Sequence, residues 1–321
     1  MTTYKEIFGK YVKNYSSDPT SDIEGQIWYN STSGTFKTNL AGAAAWASGG
    51  SLSTARNELG SAGIQTAGLG FGGYSTGNTT ATEEYDGSAW TSGGNLSTAR
   101  RNLGGAGTQT AGLAFGGFTT VVSNATEEYD GSAWTGGGNL GTTRFGMGSA
   151  GTQTAGLAFG GATYPPIVLQ NATEEYDGSA WTGGGNLSTA RRALAGAGTQ
   201  TAGLAFGGLT TVVVANTEEY NGSAWTAGGN VNTARRGLGG AGTQNAALAF
   251  GGITTVVVAN TEEYNGTSWT NIISMATARQ YLAGCGTQTL ALASGGYTTT
   301  AVTNTEEYSN PSFSTKTITT S

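Results

Sequence analysis

Paired carboxylates are the residues of this sequence best suited to chemistry. The motif Thr-Glu-Glu-Tyr occurs six times among the 321 residues, and its glutamates could act as the acid and base of a glycosidase or bind a calcium ion. An active site needs one pair in a setting of its own, whereas all six stand in the same context. Because adjacent strand residues point to opposite faces, the members of a pair cannot converge on one substrate. The pairs are Glu83-Glu84, Glu127-Glu128, Glu174-Glu175, Glu218-Glu219, Glu262-Glu263 and Glu306-Glu307.

A structural role is therefore favoured, with one glutamate of each pair facing water and the other an arginine. One arginine recurs at a fixed place in every repeat, so we expect six ion pairs that tie the repeats or their connecting loops together. The arginines are Arg56, Arg100, Arg144, Arg191, Arg235 and Arg279. The glutamates assigned to them, in the same order, are Glu84, Glu128, Glu175, Glu219, Glu263 and Glu307.

Composition excludes several other kinds of site. The chain has no histidine, so it cannot form a Ser-His-Asp or Cys-His apparatus or an imidazole zinc site. Its single cysteine, Cys285, stands where the other repeats have alanine, which predicts a small buried apolar residue. We predict no catalytic residue, no metal site and no cofactor.

Charge and hydropathy narrow the range of partners. The net charge is −6 and no run of lysine or arginine is longer than two, so nucleic acid is not an expected partner. No apolar stretch approaches the roughly 18 residues of a spanning helix, and no secretory signal begins the chain. We expect synthesis in a cytoplasm and no membrane insertion.

A unit of 44 residues that ends in a glycine pair occurs six times in the sequence. Repeats of this length are typical of solenoids and propellers. In the copy at 100–137, residues 102–107, 111–117 and 121–129 predict three strands, and a fourth carries Trp134. Asp130-Gly131 predicts a type I′ hairpin between the last two. The recurring tryptophans, which we expect to pack between repeats, are Trp46, Trp90, Trp134, Trp181, Trp225 and Trp269.

Four antiparallel strands per repeat correspond to one propeller blade, so we predict an all-β, six-bladed β-propeller. Seven blades stay open because residues before the repeats also carry strand signals. Residues 26–30 and 34–39 predict a hairpin, and residues 43–46 predict a strand that could complete the last blade, cap the ring or join a seventh blade.

The chain is accordingly divided into three parts. Residues 1–24 form an attachment segment, residues 25–46 the hairpin and closing strands, and residues 47–321 the propeller. Apolar side chains in the first part favour docking to another protein or a sister chain, and they are Tyr4, Ile7, Phe8, Tyr11, Val12 and Tyr15.

The order of the recurring residues within the unit resembles the kelch repeat, whose copies are four-stranded propeller blades. One copy reads Gly116-Gly117, Tyr129, Trp134 and Thr-Thr-Arg at 142–144, and the likeness extends from residue 46 to about residue 313. This resemblance implies a propeller but leaves function open, because kelch propellers occur in enzymes, adaptors and surface proteins.

A second resemblance concerns function. The segment 24–34, Glu-Gly-Gln-Ile-Trp-Tyr-Asn-Ser-Thr-Ser-Gly, with Lys37, is similar to a segment near the N-termini of virion structural and tail-fibre-like proteins of marine bacteriophages. The sequence of residues 105–117 is similar to repeats in the same proteins. This resemblance implies a non-enzymatic virion protein, in a tail fibre or decorating a capsid, made in the host cytoplasm.

In that interpretation residues 1–24 dock to other virion proteins, and the propeller meets a host glycan or receptor; self-association is left open. The alternatives are a kelch-type protein-binding module in a cell and, third, a carbohydrate-active enzyme. Loops that differ between copies are the expected binding surface, because the scaffold does not dictate their sequence. The side chains singled out there are Tyr74, Phe118, Tyr164, Pro165, Pro166, Ile167 and Tyr297.

Overall fold

The computed structural model describes residues 12–19, 26–40, 43–310 and 314–318, and these residues form strands and no helix. They belong to two compact units, Trp46–Tyr308 and the pair of segments Met1–Ala45 and Ser309–Ser321. Within the described residues no helix reaches the length and hydropathy needed to cross a membrane.

Six four-stranded antiparallel sheets, here called blades 1 to 6, make up the larger unit. Their strands, from the inner to the outer, are β5 to β8 (Gly60–Ile64, Ala67–Phe71, Thr82–Tyr85, Trp90–Ser92), β9 to β12 (Gly104–Gly107, Gly112–Phe115, Thr126–Tyr129, Trp134–Gly136), β13, β14, β17 and β18 (Gly148–Gly151, Gly156–Phe159, Thr173–Tyr176, Trp181–Gly183), β19 to β22 (Ala195–Gly198, Gly203–Phe206, Thr217–Tyr220, Trp225–Ala227), β23 to β26 (Gly239–Thr243, Ala246–Phe250, Thr261–Tyr264, Trp269–Ile272), and β27 to β29 with β4 (Ala283–Gly286, Leu290–Ser294, Thr305–Ser309, Ala45–Ser48). Blade 3 also carries a two-stranded hairpin, β15 and β16 (Ala162–Thr163, Val168–Leu169).

The inner strands close a ring of six blades. Each inner strand contacts the inner strands of both neighbours, and β27 of blade 6 contacts β5 of blade 1. Strand β4, which precedes all the repeats in the chain, supplies the outer strand of blade 6. The predicted strand at residues 43–46 therefore completes the last blade, and six blades are confirmed over seven.

The hydrophobic core lies between neighbouring blades, as the recurring tryptophans predicted. Trp134 of blade 2 packs edge-on against Phe71 of blade 1, with ring centroids 4.9 Å apart, and its Nε1 donates a hydrogen bond to Thr82 Oγ1 at 2.9 Å. Leu69, Leu103 and these rings belong to one buried cluster that both blades share. Because a single blade cannot bury such a face, the blades are stable only side by side.

Glycine pairs at the ends of the second strands allow these blades to approach closely. Gly72 and Gly73 have φ of +62° and +101°. A Cβ at Gly72 would lie 2.7 Å from the carbonyl oxygen of Arg100 in the next connection. Any other residue would combine an unfavourable conformation with a clash against backbone.

Two local predictions are corrected. The third strand of blade 2 begins at Thr126 rather than at Val121, because residues 119–124 turn back on themselves and Ser123 N–H donates to Gly117 O. The Asp-Gly hairpin is a four-residue loop rather than type I′: Gly131 has φ +91°, Asp130 has no positive φ, and Asp130 Oδ1 accepts the N–H groups of Ser132 and Ala133.

The smaller unit contains a seventh four-stranded sheet. Its order is β1 (Lys13–Tyr15), β2 (Ile27–Asn30), β3 (Thr35–Leu40) and β30 (Ser314–Thr317), with β1 parallel to β2. The predicted hairpin is confirmed as β2 and β3. Asp18 forms an ion pair with Lys37 at 2.8 Å and accepts Asn30 Nδ2, and these contacts lower the pKa of Asp18.

The predicted division of the chain differs from this arrangement in two places. Residue 24 is not a boundary, because β1 pairs with the hairpin, and residues 314–317 join the same sheet rather than the propeller. Most of the attachment segment, including Tyr4, Ile7, Phe8 and Tyr11, lies outside the described residues, whereas Val12 and Tyr15 are half-buried.

Candidate functional site

The repeated carboxylates divide between two structural tasks. The first glutamate of each pair, not the second as predicted, forms the ion pair with the repeat arginine, and both belong to one blade. The pairs are Arg56 with Glu83, Arg100 with Glu127, Arg144 with Glu174, Arg191 with Glu218, Arg235 with Glu262 and Arg279 with Glu306. All six arginines are fully buried. The first glutamates face these arginines because alternation along the third strand turns the second glutamates to the opposite face.

Each buried arginine anchors the connection that enters its blade. Arg100 Nη2 lies 2.9 Å from Glu127 Oε1, and its Nη1 donates to Ala125 O at 2.6 Å and Gly116 O at 3.0 Å. The other oxygen of Glu127 accepts the N–H of Ser97 at 2.7 Å. Burial lowers the pKa of Arg100, and the charge of Glu127 opposes that shift.

The second glutamate of five of the six pairs binds a tyrosine of the next blade. Tyr129 Oη of blade 2 donates to Glu84 Oε1 of blade 1 at 2.5 Å and also accepts the N–H of Gly94. Desolvation first, and this hydrogen bond second, raise the pKa of Tyr129 to about 12. The same contact joins Tyr85 to Glu307, Tyr176 to Glu128, Tyr220 to Glu175 and Tyr264 to Glu219.

One interface departs from this pattern. Tyr308 of blade 6 is fully buried, yet its hydroxyl has no hydrogen-bond partner among the described residues, and Glu263 is the carboxylate in the equivalent place. At the other five interfaces a glycine lies beside the bond, and a Cβ on Gly93 would come within 2.6 Å of Tyr129 Oη and 3.0 Å of Glu84 Oε1. Ile272 occupies that position between blades 5 and 6, so its side chain takes the space that the hydrogen bond needs.

We predict that the propeller loses stability between about pH 10 and about pH 12. Five tyrosines have a folded pKa of about 12, above the ordinary value of 10.0. Since the folded state holds these protons more tightly, their contribution is complete below the lower pH and is lost as the pH rises through the higher one. Urea unfolding across this window, followed with tyrosinate absorbance, measures both effects. Titration of these tyrosines at the ordinary pKa without loss of stability would contradict the prediction.

With these contacts assigned, the repeated glutamates serve the scaffold instead of forming glycosidase pairs. Among the described residues no group of three or more His, Cys, Asp or Glu side chains could hold a metal ion. Cys285 is buried as predicted, and burial raises the pKa of its thiol to about 12. The groups left for recognition are those that differ from copy to copy.

Unrepeated side chains converge at one mouth of the axial channel. Six residues, one per blade, encircle this mouth, and the N–H of each donates to the carbonyl oxygen of the preceding one at 2.6 to 2.9 Å until the ring closes. All six have φ between +51° and +62°. In blade order they are Glu58, Asn102, Gly146, Ala193, Gly237 and Tyr281.

This backbone conformation favours glycine, but only two of the six residues are glycines. A left-handed conformation costs a residue with a Cβ about 1–2 kcal/mol, although asparagine tolerates it better. Glu58 and Tyr281 therefore stand where the scaffold alone would favour glycine. Strain of this kind is common at functional sites, so these two side chains are candidates for a role beyond architecture.

A cavity of about 100 Å³ lies within the ring, above a floor of five leucines and Met147. Below it, a further cavity of about 140 Å³ follows the axis between glycine-rich inner strands and is lined by Ser61 and Ser149. Since a water molecule needs about 10–15 Å³ of such space, the upper cavity admits a ligand group of several heavy atoms.

Aromatic rings and guanidinium groups pack against one another near the mouth. Arg101 Cζ lies 4.7 Å from the ring centroid of Tyr74 and 5.4 Å from that of Phe118, and Arg192 Cζ lies 5.7 Å from that of Phe145. Phe118 also contacts Phe145 edge-on, with centroids 5.9 Å apart. Such contacts hold long cationic side chains in place over the rings.

Glu58 is the carboxylate at this mouth. Its Oε2 lies 3.4 Å from Arg101 Nε, close enough for an ion pair but not aligned as a hydrogen bond. Burial is the largest influence and raises the pKa of Glu58, while the charges of Arg101 and Arg192 and a hydrogen bond from Asn102 oppose it. Glu58 and Arg192 therefore act on each other across the mouth, from blades 1 and 4.

The structure brings some of the predicted binding residues together. Tyr74 and Phe118 belong to the aromatic row, and Tyr164 lies edge-on to Phe118 with centroids 6.0 Å apart. The exposed tip of the blade 3 hairpin consists of Tyr164, Pro165, Pro166 and Ile167. Of these four, the last three lie outside the aromatic row. Tyr297 is on blade 6, where its backbone pairs with that of Gln280 in an isolated antiparallel β-bridge.

Sequence reasoning missed the ring positions themselves. Glu58, Asn102 and Tyr281 follow the repeat arginine by two residues, and this position varies as much as the loops do. The signal was present in that variation, but the left-handed backbone that gives it meaning is not visible in sequence. Val212 and Val256 are exposed in the loops that precede the third strands of their blades.

Comparison with known proteins supports the fold. The solved structure of the β-propeller YjhT is similar, with a TM-score of 0.69 and 12% sequence identity, over 83% of this chain and 99% of that one. At this identity the likeness shows the fold alone. No protein-family model matches the chain, and no curated protein matches it significantly.

Proposed function

We propose that this chain is a non-enzymatic structural protein of a bacteriophage virion, and that its kelch-type propeller binds a host-surface glycan or receptor through the channel mouth. The observation that carries the binding role is the division of labour among polar side chains. Repeated carboxylates, arginines and tyrosines bond to one another inside the scaffold. Unrepeated ones, with aromatic rings, meet at a cavity open to a ligand.

The virion setting rests on the resemblance of residues 24–37 to a segment of phage structural proteins. Trp28 and Lys37 of that segment both contact Asp18, so a network of polar contacts fixes this hairpin within the smaller unit. Such a unit suits attachment to other virion proteins, with residues 1–24 as the contact, while the propeller is displayed. The protein would be made in the host cytoplasm and be located in the particle.

Mass spectrometry of purified phage particles tests this proposal. We expect the intact chain in particles, and we expect particles assembled with a chain lacking residues 2–11 to lose it. That deletion spares every described strand. Absence of the chain from particles would favour a protein-binding module of the cell instead. Glycan turnover by the purified protein, abolished by Glu58→Gln, would overturn the non-enzymatic assignment.

A further inference from the structure

We propose that the channel mouth recognises an anionic group on its ligand, held between Arg192 and Arg236. This inference deepens the proposed function, on which it rests for the choice of a glycan as the ligand. The chemistry concerned is that of a carboxylate, sulfate or phosphate substituent on a sugar.

Uncompensated positive charge is the first observation. Among the described residues the buried repeat arginines each have a glutamate, and Arg101 has Glu58. No described carboxylate lies within ion-pair distance of Arg192 or Arg236. In a chain of net charge −6, two guanidinium groups without an ion-pair partner on adjacent blades at one opening are not explained by the scaffold, and Glu58 acts on Arg192 only from across the mouth.

The direction of the side chains is the second observation. Arg101 and Arg192 both lean toward the preceding blade, over Tyr74 and Phe145. A Cβ on Gly237 would meet the Tyr281 ring at 3.0 Å, so Tyr281 leans the same way. Arg236 occupies the equivalent position on blade 5, and we infer for it the same lean, which would direct it toward Arg192 on blade 4.

An incomplete hydrogen-bond set is the third observation. Arg236 Nε is shielded from solvent and has no partner among the described residues, as is also true of Arg101 and five of the repeat arginines. The repeat arginines bond through their Nη atoms, whereas neither Arg192 nor Arg236 donates a hydrogen bond to a described residue. A buried guanidinium N–H without an acceptor is unfavourable, and a planar two-oxygen anion supplies acceptors in the geometry that the guanidinium fork matches. The apolar floor of the mouth lowers the local dielectric and strengthens such an interaction.

The opposite side of the mouth suits the rest of a sugar. Tyr281, Glu58 and Asn102 follow one another around blades 6, 1 and 2 and offer a phenol, a carboxylate and an amide. These groups donate to and accept from hydroxyls, whereas blades 3 and 4 contribute only Gly146 and Ala193 at ring level. A hydroxylated ligand with one anionic end therefore matches the asymmetry of the ring.

Isothermal titration of the purified full-length protein, at constant ionic strength, tests the inference with three probes: D-galacturonate, D-galactose and sulfate. We expect galacturonate to bind and galactose to bind at least about tenfold more weakly, since a charge-assisted hydrogen bond contributes roughly that factor or more. Binding of sulfate as well would indicate that the anionic group alone suffices. Binding of sulfate without galacturonate would support the same site with a sulfate or phosphate substituent.

Variants assign the effect to the two arginines. Arg192→Gln and Arg236→Gln should each lower the affinity for the anion about tenfold or more. Arg192→Lys should retain part of the affinity, because it keeps the charge but lacks the paired N–H donors of the guanidinium. Lys13→Gln, which removes an exposed charge from the smaller unit, is the matched control and should bind normally. Unchanged thermal unfolding midpoints establish that the variants are folded.

Equal binding of galactose and galacturonate, unaltered affinity in both arginine variants, or no binding of either anion at millimolar concentration would overturn the inference. These results are independent of the particle experiment. A chain absent from virions could still bind the anion, and a virion protein could bind its host through other groups.

Discussion

Arg100→Ala should lower the free energy of unfolding by about 3–5 kcal/mol, the largest effect expected from a single substitution in this chain. Removing the guanidinium leaves Glu127 charged and buried without its cation, leaves Gly116 O without its donor, and leaves Ala125 O with only the N–H of Gly116. For a domain of this size the midpoint of thermal unfolding should fall by roughly 10 °C. Chemical unfolding followed by tryptophan fluorescence measures the change.

Arg101→Ala is the matched control, because it removes the neighbouring arginine of the same strand entry. That side chain is partly exposed and its ion pair with Glu58 is long, so the loss should stay below about 1 kcal/mol. Glu127→Gln should fall between the two, since it keeps the shape but removes the charge that opposes the desolvation of Arg100. Similar stability for Arg100→Ala and Arg101→Ala would show that the buried pair is not a main support of the blade.

Tyr129→Phe should lower the free energy of unfolding by about 1.5–3 kcal/mol, because it removes a hydrogen bond to a charged group at a blade interface. Glu84 loses the donor that lies 2.5 Å away, and Gly94 N–H loses its acceptor. Blades 1 and 2 would then be joined by apolar packing and by Trp134 and Gln109, whose side chains also cross this interface. The same unfolding experiment measures the loss.

Tyr308→Phe provides an internal comparison with identical chemistry. Its hydroxyl is buried and bonds to no residue in the described part of the chain, so deleting it should change stability by less than about 0.5 kcal/mol or raise it slightly. A loss at Tyr308 equal to that at Tyr129 would mean that the ring, not the hydrogen bond to glutamate, stabilises these interfaces. The comparison thus separates packing from hydrogen bonding.

Much of the fold could be predicted from the sequence because the same strand signals occur in six copies of the repeat. Regular spacing of the tryptophans located the outer strands, and the Thr-Glu-Glu-Tyr motif located the third strands. What one copy leaves ambiguous, six copies in register decide. Strand lengths were less accessible, since Val121 favours a strand but the turn closed by Gly117 and Ser123 excludes it.

The candidate site was less accessible. Variation between copies pointed to the face of the ring that carries Tyr74 and Phe118, but not to Glu58 or Tyr281 at the opening itself. Their importance depends on a left-handed backbone and a closed chain of hydrogen bonds between blades. Both arise from contacts between residues about 44 positions apart, which no local pattern specifies.

Local geometry and repetition are enough to specify the blade, its strand order, the number of copies and the alternation that sends two adjacent glutamates to opposite faces, so these features could be read from the sequence. Packing between blades settles which glutamate meets the arginine, leaves Tyr308 without the bond that its counterparts form, and gathers charges from four separate repeats at one opening. Those outcomes depend on how neighbouring blades pack around the axis, and distances between blades are set by ring closure rather than by the sequence of any one repeat.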